Sequence, residues 1–287
     1  MKKIKIKSFC KINLSLRVIR KLNNGYHSIS SLVTFCNLYD VILLSKIKGS
    51  KDKISFFGRF KKNINLKHNT ITKVLHLLRK RNFLKNQFFK ISITKNIPHG
   101  SGLGGGSSNA ANLLKSLNLK MSLRLNKKYI KDISNQIGFD VPINLEKKNT
   151  LLTGKADEII RLQQKFKLNI LIVYPNIICS TKKIYERNKI FSPSKNIKKF
   201  NIQKKPEIID FFKKEKNDLE KTVIKLYPKI NKIINFIKSQ NGCYFSRITG
   251  SGSACIGIFS NMETANYSKK LIKRKFPKYW CVTSKTI

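Results

Sequence analysis

The sequence predicts an α+β protein folded in two lobes, and three observations predict it. Period-two alternation of apolar and polar residues recurs along the chain and marks strands, while apolar residues spaced three and four apart mark helices between them. A fresh series of alternations begins beyond about residue 160, which places a lobe at 1–160 and a second at 161–287. Each half carries one glycine-rich turn, SGLGGG at 101–106 and TGSGSA at 249–254, expected to meet at a shared cleft. A chain of 287 residues with 41% apolar content is long enough to bury a core in either lobe.

Residues 3–9 and 12–20 alternate as strands, and NNGYH at 23–27 interrupts them like a hairpin turn. Strand-like runs continue over 29–46 and 53–58. Asn69 is placed to cap a helix over 70–82, in which Ile71, Val74, Leu75 and Leu78 form one apolar face. FFKISITK at 88–95 alternates again and leads into the first glycine turn. Helices are predicted over 107–118 and over 126–137, the latter with Tyr129, Ile130, Ile133 and Ile137 on one side. In the second half LNILIVYP at 168–175 reads as a strand, and the lysine-rich segment at 189–206 as a surface connection. Helices follow over 207–214, 217–226 and 228–240, then a strand at 243–248, the second glycine turn, a strand at 255–259, a helix at 262–276 and a last strand at 279–284.

The formal net charge is +46. A cationic chain attracts polyanions by releasing their counterions. Here the lysines are spread along the whole chain, with no RNP-type motif, zinc finger or basic cluster interleaved with aromatics. Lys, Asn and Ile, all with A/T-rich codons, are used heavily together. The charge therefore reads as compositional drift, and no specific nucleic-acid partner is expected. No apolar run approaches the roughly 18–20 residues that cross a bilayer, and the N-terminal MKKIKIKSFCKINL alternates instead of offering an apolar leader core. A cytoplasmic protein without a membrane partner, monomeric or a weak homodimer, is the expectation. The six cysteines are scattered, without a CxxC pair or a Cys/His cluster, which argues against a zinc site and for buried thiols in a reducing compartment.

PHGSGLGGGSSNAA at 98–111 carries the chemistry. A strand, then glycines, then a helix opening on Ser107 and Ser108 is a phosphate-binding arrangement. The first turn of a helix leaves main-chain N–H groups unpaired beside the positive end of the helix dipole. Missing side chains let a phosphate chain lie against the backbone. Serine hydroxyls can then donate to phosphate oxygens or ligate Mg²⁺. A Walker A loop is excluded because no Gly-Lys-Ser/Thr ends the stretch. A dinucleotide fingerprint fits the glycines at 100, 102 and 105, but no Asp or Glu occurs between 99 and 131. A protein-kinase loop would join two hairpin strands, whereas this one opens a helix.

With this stretch the chain resembles the GHMP kinases, the family of galactokinase and of homoserine, mevalonate and phosphomevalonate kinases. PHGSGLGGGSSNAA is similar to the second family signature. CKINLSLRV at 10–18 resembles the N-terminal motif, NGYHSISSLV at 24–33 a DGYHxLxS/T segment, IGFDVP at 137–142 an L-G-A-D-V-P motif, and TGSGSA at 249–254 the third signature. Five motifs stand in order from about residue 8 to 260. The sequence departs from these patterns at Cys10 and Phe139, each where Ala is usual, and at Asn24, where Asp is usual.

The resemblance implies a two-lobed GHMP kinase fold, with an N-terminal nucleotide-binding lobe, a C-terminal ferredoxin-like α/β sandwich and the active site between them. It implies ATP and Mg²⁺ as cofactors, and transfer of phosphate to the 2-hydroxyl of a cytidine-diphospho sugar alcohol in non-mevalonate isoprenoid biosynthesis. Mevalonate or homoserine is the alternative acceptor. ATP is expected against Pro98, His99, Gly100, Ser101, Gly102, Leu103, Gly104, Gly105, Gly106, Ser107 and Ser108, with either serine as the metal ligand. Few carboxylates exist to take a hydroxyl proton, since the chain has only 14 acidic residues. Asp140 stands out in its apolar context. In the resemblance its partner is Lys11, which lies on one face of its strand with Asn13, the expected contact for the sugar-alcohol end. Tyr26 and His27 suit the stacking and edge recognition that a cytosine ring needs. Tyr185 is the expected second wall, Thr181 an added polar contact, and Gly250 and Gly252 a cover over the reacting groups.

Overall fold

A computed structural model describes residues 3–193 and 205–287. They form two compact units whose sequence segments interleave. The first comprises Met1–Cys10, Leu38–His99 and Gly104–Glu146, the second Lys11–Asn37, Gly100–Leu103 and Lys147–Ile287.

Strands β1 (Ile4–Asn13) and β2 (Arg17–Lys21) both pair with the 21-residue β3 (His27–Ile47), whose second half belongs to the first unit. The break expected between strands after residue 9 falls later, because β1 runs on to Asn13 and Leu14 then bonds to the carbonyl of Leu32. In the first unit β4 (Lys53–Phe57) pairs in parallel with β5 (Phe88–Thr94), and β5 pairs antiparallel with β3. Ile91 of β5 stands opposite Leu44 on one side and Ile54 on the other. The alternation puts Ile42, Leu44, Phe89, Ile91 and Ile93 on the buried face.

Helices cover that face. Helix α1 (Thr70–Lys80) starts at Asn69, whose side chain accepts from the N–H groups of Ile71 and Thr72 while Thr72 accepts in return from Asn69 N–H, a capping box. Helix α2 (Gly105–Lys120) begins two residues before the expected Ser107, because Gly104, at φ 67°, ends the loop in a left-handed conformation. Ala110, Ala111, Leu113, Leu114 and Leu117 are buried in α2, so this helix is the centre of the unit. Helix α3 (Lys127–Ile137) adds Ile133 and Ile137 to the same core. A single 3-10 turn follows at Pro142–Leu145.

In the second unit the first half of β3 pairs with β6 (Thr150–Thr153), and β6 with β7 (Glu158–Arg161). These four-residue strands are too short for alternation to mark and are absent from the sequence reading. A second, antiparallel sheet runs in the order β11 (Trp280–Lys285), β8 (Asn169–Tyr174), β10 (Cys255–Phe259), β9 (Cys243–Ile248). Helix α7 (Lys229–Lys238) packs on β9 and β10, and α8 (Met262–Lys275) on β8 and β11, which makes the expected α/β sandwich. Its core joins Leu171, Val173, Ile233, Ile237, Ile248 and Ile272. Helix α4 (Thr181–Arg187) is a seven-residue addition to the sequence reading; α6 (Glu220–Leu226) lies within its predicted stretch, and α5 (Lys205–Lys214) starts two residues before the expected 207, inside the segment read as a connection. Residues 194–204 of the expected surface connection lie outside the described residues.

Candidate active site

Strand β5 delivers the chain to the first glycine turn. Pro98 is buried and His99 exposed at its start; both belong to the first unit, as does the segment Gly104–Glu146. Helix α2 then opens with no side-chain cap and no acidic residue in its first turn. Its first intrahelical bond runs from Ser108 N–H to the carbonyl of Gly104 at 2.9 Å, so the amides of Gly105, Gly106 and Ser107 precede the helical ladder. That is a positive, donor-rich end with no acidic residue of its own first turn to neutralise it. Ser108 is buried with its hydroxyl 3.3 Å from Asn112 Nδ2, whereas Ser107 is only half-buried.

Gly100, Ser101, Gly102 and Leu103 belong to the second unit, where main-chain bonds from three separate segments fasten them. Cys179 N–H donates to the carbonyl of Gly100 at 3.1 Å, Ala254 N–H to that of Ser101 at 3.0 Å and Lys11 N–H to that of Leu103 at 3.1 Å. The second glycine turn packs on this segment. A β-carbon on Gly102 would overlap the carbonyl oxygen of Thr249, and one on Gly250 would come within 3.2 Å of both the Gly102 carbonyl oxygen and Asn13 Oδ1. Glycine alone permits the first approach, and at Gly250, whose φ is 57°, a side chain would be both strained and crowded. Gly252 is buried here too, and the hydroxyls of Ser251 and Thr181 lie 2.9 Å apart.

The end of β1 supplies the polar groups of the same unit. Lys11 Nζ donates to Asn13 Oδ1 at 2.7 Å, and each residue is 4% exposed. Asn13 Nδ2 donates to Ser31 Oγ at 2.8 Å, Ser31 Oγ donates onward to the Ser15 carbonyl, and Asn13 N–H donates to Thr249 Oγ1 at 2.9 Å. The chain thus fixes the orientation of the asparagine amide and leaves the ammonium bonded to its carbonyl. Ser31 and Thr249 escape sequence reasoning, since each acts on a residue far away in the chain.

Asp140 sits in the first unit, in the bend between α3 and the 3-10 turn. Val141 N–H donates to the Gly138 carbonyl, and Asn144 Nδ2 donates to the Asp140 carbonyl at 2.6 Å. Val141, Pro142 and Ile143 are buried, but Asp140 is half-buried and Phe139 is 49% exposed. The apolar run around the carboxylate therefore does not enclose it: the bulky replacement at 139 points to the surface.

At the start of β3, Leu22 N–H donates to the Tyr26 carbonyl and closes a turn in which Asn24 Oδ1 accepts from Tyr26 N–H at 3.3 Å. Asn24 thereby makes the local bond that an aspartate would make in its place. Tyr26 is 50% exposed, while His27 is 8% exposed. The imidazole lies 5.3 Å from the Tyr185 ring and 6.5 Å from that of Phe191, with the latter pair close to parallel at 16°. Burial, and next the charge of Lys21, push its pKa below the usual value, which keeps it neutral. Phe191 has no counterpart in the sequence reading. An isolated aromatic in a connecting segment gives no signal until its neighbours are in place.

Among the described residues no three His, Cys, Asp or Glu side chains cluster as a metal site, and no helix is long and apolar enough to cross a membrane. The sequence matches the family model of the GHMP kinases N terminal domain over residues 69–146 and that of the GHMP kinases C terminal over 197–278. It is 39% identical to the 4-diphosphocytidyl-2-C-methyl-D-erythritol kinase of Pelagibacter ubique, with all of both chains covered. It is 33% identical to that of Caldicellulosiruptor bescii, with 94% of each covered. Among solved structures, a 4-(cytidine 5'-diphospho)-2C-methyl-D-erythritol kinase superposes with a TM-score of 0.78 at 20% identity, covering 98% of this chain and 99% of that one. Homoserine kinase from Cytophaga hutchinsonii follows with 0.74 at 16% identity, covering 100% and 95%.

Proposed function

The chain belongs to the GHMP kinase family, and we propose that it transfers the γ-phosphoryl group of ATP to the 2-hydroxyl of 4-diphosphocytidyl-2-C-methyl-D-erythritol, giving the 2-phosphate and ADP. It is a kinase with an alcohol as acceptor, it uses ATP, and its place is in isoprenoid biosynthesis, as for the full-length relatives named after this reaction. The observation that carries the phosphate chemistry is the uncapped opening of α2 after left-handed Gly104.

The turn from Pro98 to Ser108 holds the nucleotide, with the main-chain N–H groups of Gly105, Gly106 and Ser107 as donors to its phosphates. Mg²⁺ arrives with ATP, since the described residues offer no carboxylate cluster of their own and this ion keeps much of its shell as water and phosphate oxygen. Ser107 is the better placed of the two hydroxyls to meet it, because the Ser108 hydroxyl is buried beside Asn112. Bound there, the ion would offset charge on the phosphates.

Asp140 takes the proton of the 2-hydroxyl as its oxygen attacks phosphorus, while the bond from phosphorus to the leaving ADP oxygen breaks. Lys11, oriented by Asn13, stabilises the negative charge that develops on the transferring group. Asn13 also meets the sugar-alcohol end. Tyr26 and Tyr185 stack on cytosine, and neutral His27 reads its edge with one donor and one acceptor nitrogen. Thr181, Gly250 and Gly252 close the substrate's other side. The protein works in the cytoplasm as a monomer or weak homodimer. The test is turnover of purified protein with ATP, Mg²⁺ and the cytidyl alcohol, read as ADP release. Turnover of mevalonate or homoserine in its place refutes the assignment of substrate.

A further inference from the structure

Strand β3 carries a charged residue on its core-facing row. Asp40, Ile42 and Leu44 alternate onto the same buried side, and Asp40 is fully buried in a chain with only 14 acidic residues. Its Oδ1 accepts from the main-chain N–H groups of Asn96 at 2.7 Å and Ile97 at 2.9 Å. Its Oδ2 accepts from Asn109 Nδ2 at 2.9 Å and from the ammonium of Lys95, which is 3% exposed. The two amides lie where β5 enters the glycine turn, and Asn109 lies where α2 leaves it. Lys95 Nζ in turn stands 3.3 Å from the point a β-carbon of Gly105 would occupy, a space that Ile97 also closes at 2.9 Å. All of these residues belong to the first unit.

Such a cluster is not needed to hold a strand against helices. A buried ion pair is often matched or bettered in stability by apolar residues of the same volume, and the flanking positions of this row are apolar already. What the carboxylate does that a leucine cannot is bond to the entry and the exit of one loop at once. It also holds a cation against the first residue of the helix.

We propose that Asp40 is a positioning residue for the nucleotide: with Lys95 it sets the shape of the glycine turn and presents an ammonium beneath Gly105. The inference rests on the reading that this turn holds the phosphates of ATP. Asp40→Asn alone would leave Lys95 buried without its counter-charge and is expected to destabilise the fold. The informative variant is therefore Asp40→Asn/Lys95→Met, which removes both charges and keeps the volume. It should melt cooperatively near the wild-type temperature. Its KM for ATP should rise about ten-fold or more, with KM for the cytidyl alcohol unchanged, as loss of a preset geometry requires. A double variant that fails to fold, that keeps the wild-type KM for ATP, or that raises both KM values alike overturns the inference. Gly104→Ala, which strains the left-handed cap and leaves both charges of the pair in place, separates the premise from the inference. If it leaves KM for ATP unchanged, the loop reading falls and the role of Asp40 with it. If it raises KM for ATP and the double variant does not, only the role of Asp40 falls.

Discussion

Gly102 rests on the carbonyl oxygen of Thr249 so closely that any side chain at 102 would overlap it. This approach joins the two glycine-rich turns of the sequence inside the second unit, where Ala254 N–H and the Ser101 carbonyl bond beside it at 3.0 Å. Gly102 also has a φ of 81°, which an alanine adopts only under strain. Gly102→Ala should therefore cost about 1–3 kcal/mol of stability. It should lower kcat/KM for ATP by at least about ten-fold, because the turn must move to admit the methyl group. Denaturant unfolding and steady-state kinetics on the same preparation check both effects; a wild-type kcat/KM would show that the contact is not part of the nucleotide site.

Asp140 is half-buried, and its neighbour Phe139 faces outward, so its exchange should disturb packing little. Asp140→Asn is nearly isosteric but cannot accept the hydroxyl proton. We expect kcat to fall by at least about 10²-fold while KM for ATP stays within a factor of about two. Unchanged kcat would remove Asp140 from the proton transfer.

His27 gives a pH signature. Its pKa lies below the usual 6.5, through burial first and Lys21 second. As pH falls below 6.5, the unfolded chain takes up a proton at this position before the folded one does. The stability it contributes is thus complete above 6.5 and is lost as pH falls toward the folded-state value. KM for the cytidyl substrate should be level above neutrality and rise only on the acid side, once the ring is charged and has lost its acceptor. NMR titration of the imidazole should give a midpoint under 6.5, and Lys21→Gln should raise it part of the way back. A midpoint at or above 6.5 would contradict the neutral, buried ring.

What the sequence reveals and what it hides follow from range. Strands β9 and β10 fall on the residues that alternation marks, and Asn69 caps α1 through partners within three positions. The two glycine turns are visible for the same reason, since a loop stripped of side chains is a local property. By contrast, the bond from Asn13 N–H to Thr249 joins residues 236 positions apart, and the four donors that converge on Asp40 include one 69 positions away. No local pattern encodes such partners. Asp40 reads in sequence as an interruption of an apolar strand, and Phe191 as one more aromatic near a proline. Only the fold shows that the first ties a loop and the second stacks on His27. The start of α2 was hidden differently, because it depends on the sign of one backbone angle at Gly104.

Arg17 on β2 and Glu215 between α5 and α6 form a bidentate pair at 2.8 and 2.9 Å, with side chains 9% and 2% exposed. Beside it, Val18 N–H donates to Asp218, and Leu16 N–H to the carbonyl of Lys216, so the segment 215–218 is sewn to the chain just after Lys11 and Asn13. Breaking one side of a buried pair leaves a charge without water or partner, which typically costs about 3–5 kcal/mol. Removing both sides together costs far less, since no orphaned charge remains. Glu215→Gln should accordingly destabilise the protein by several times more than Arg17→Met/Glu215→Gln does relative to wild type. Because the neighbouring main-chain bonds survive in either case, kcat of the folded double variant should stay near that of the wild type. Unfolding curves for the three proteins test the first expectation, and a double variant less stable than Glu215→Gln would show that the pair contributes more by its geometry than by neutralising its own charges.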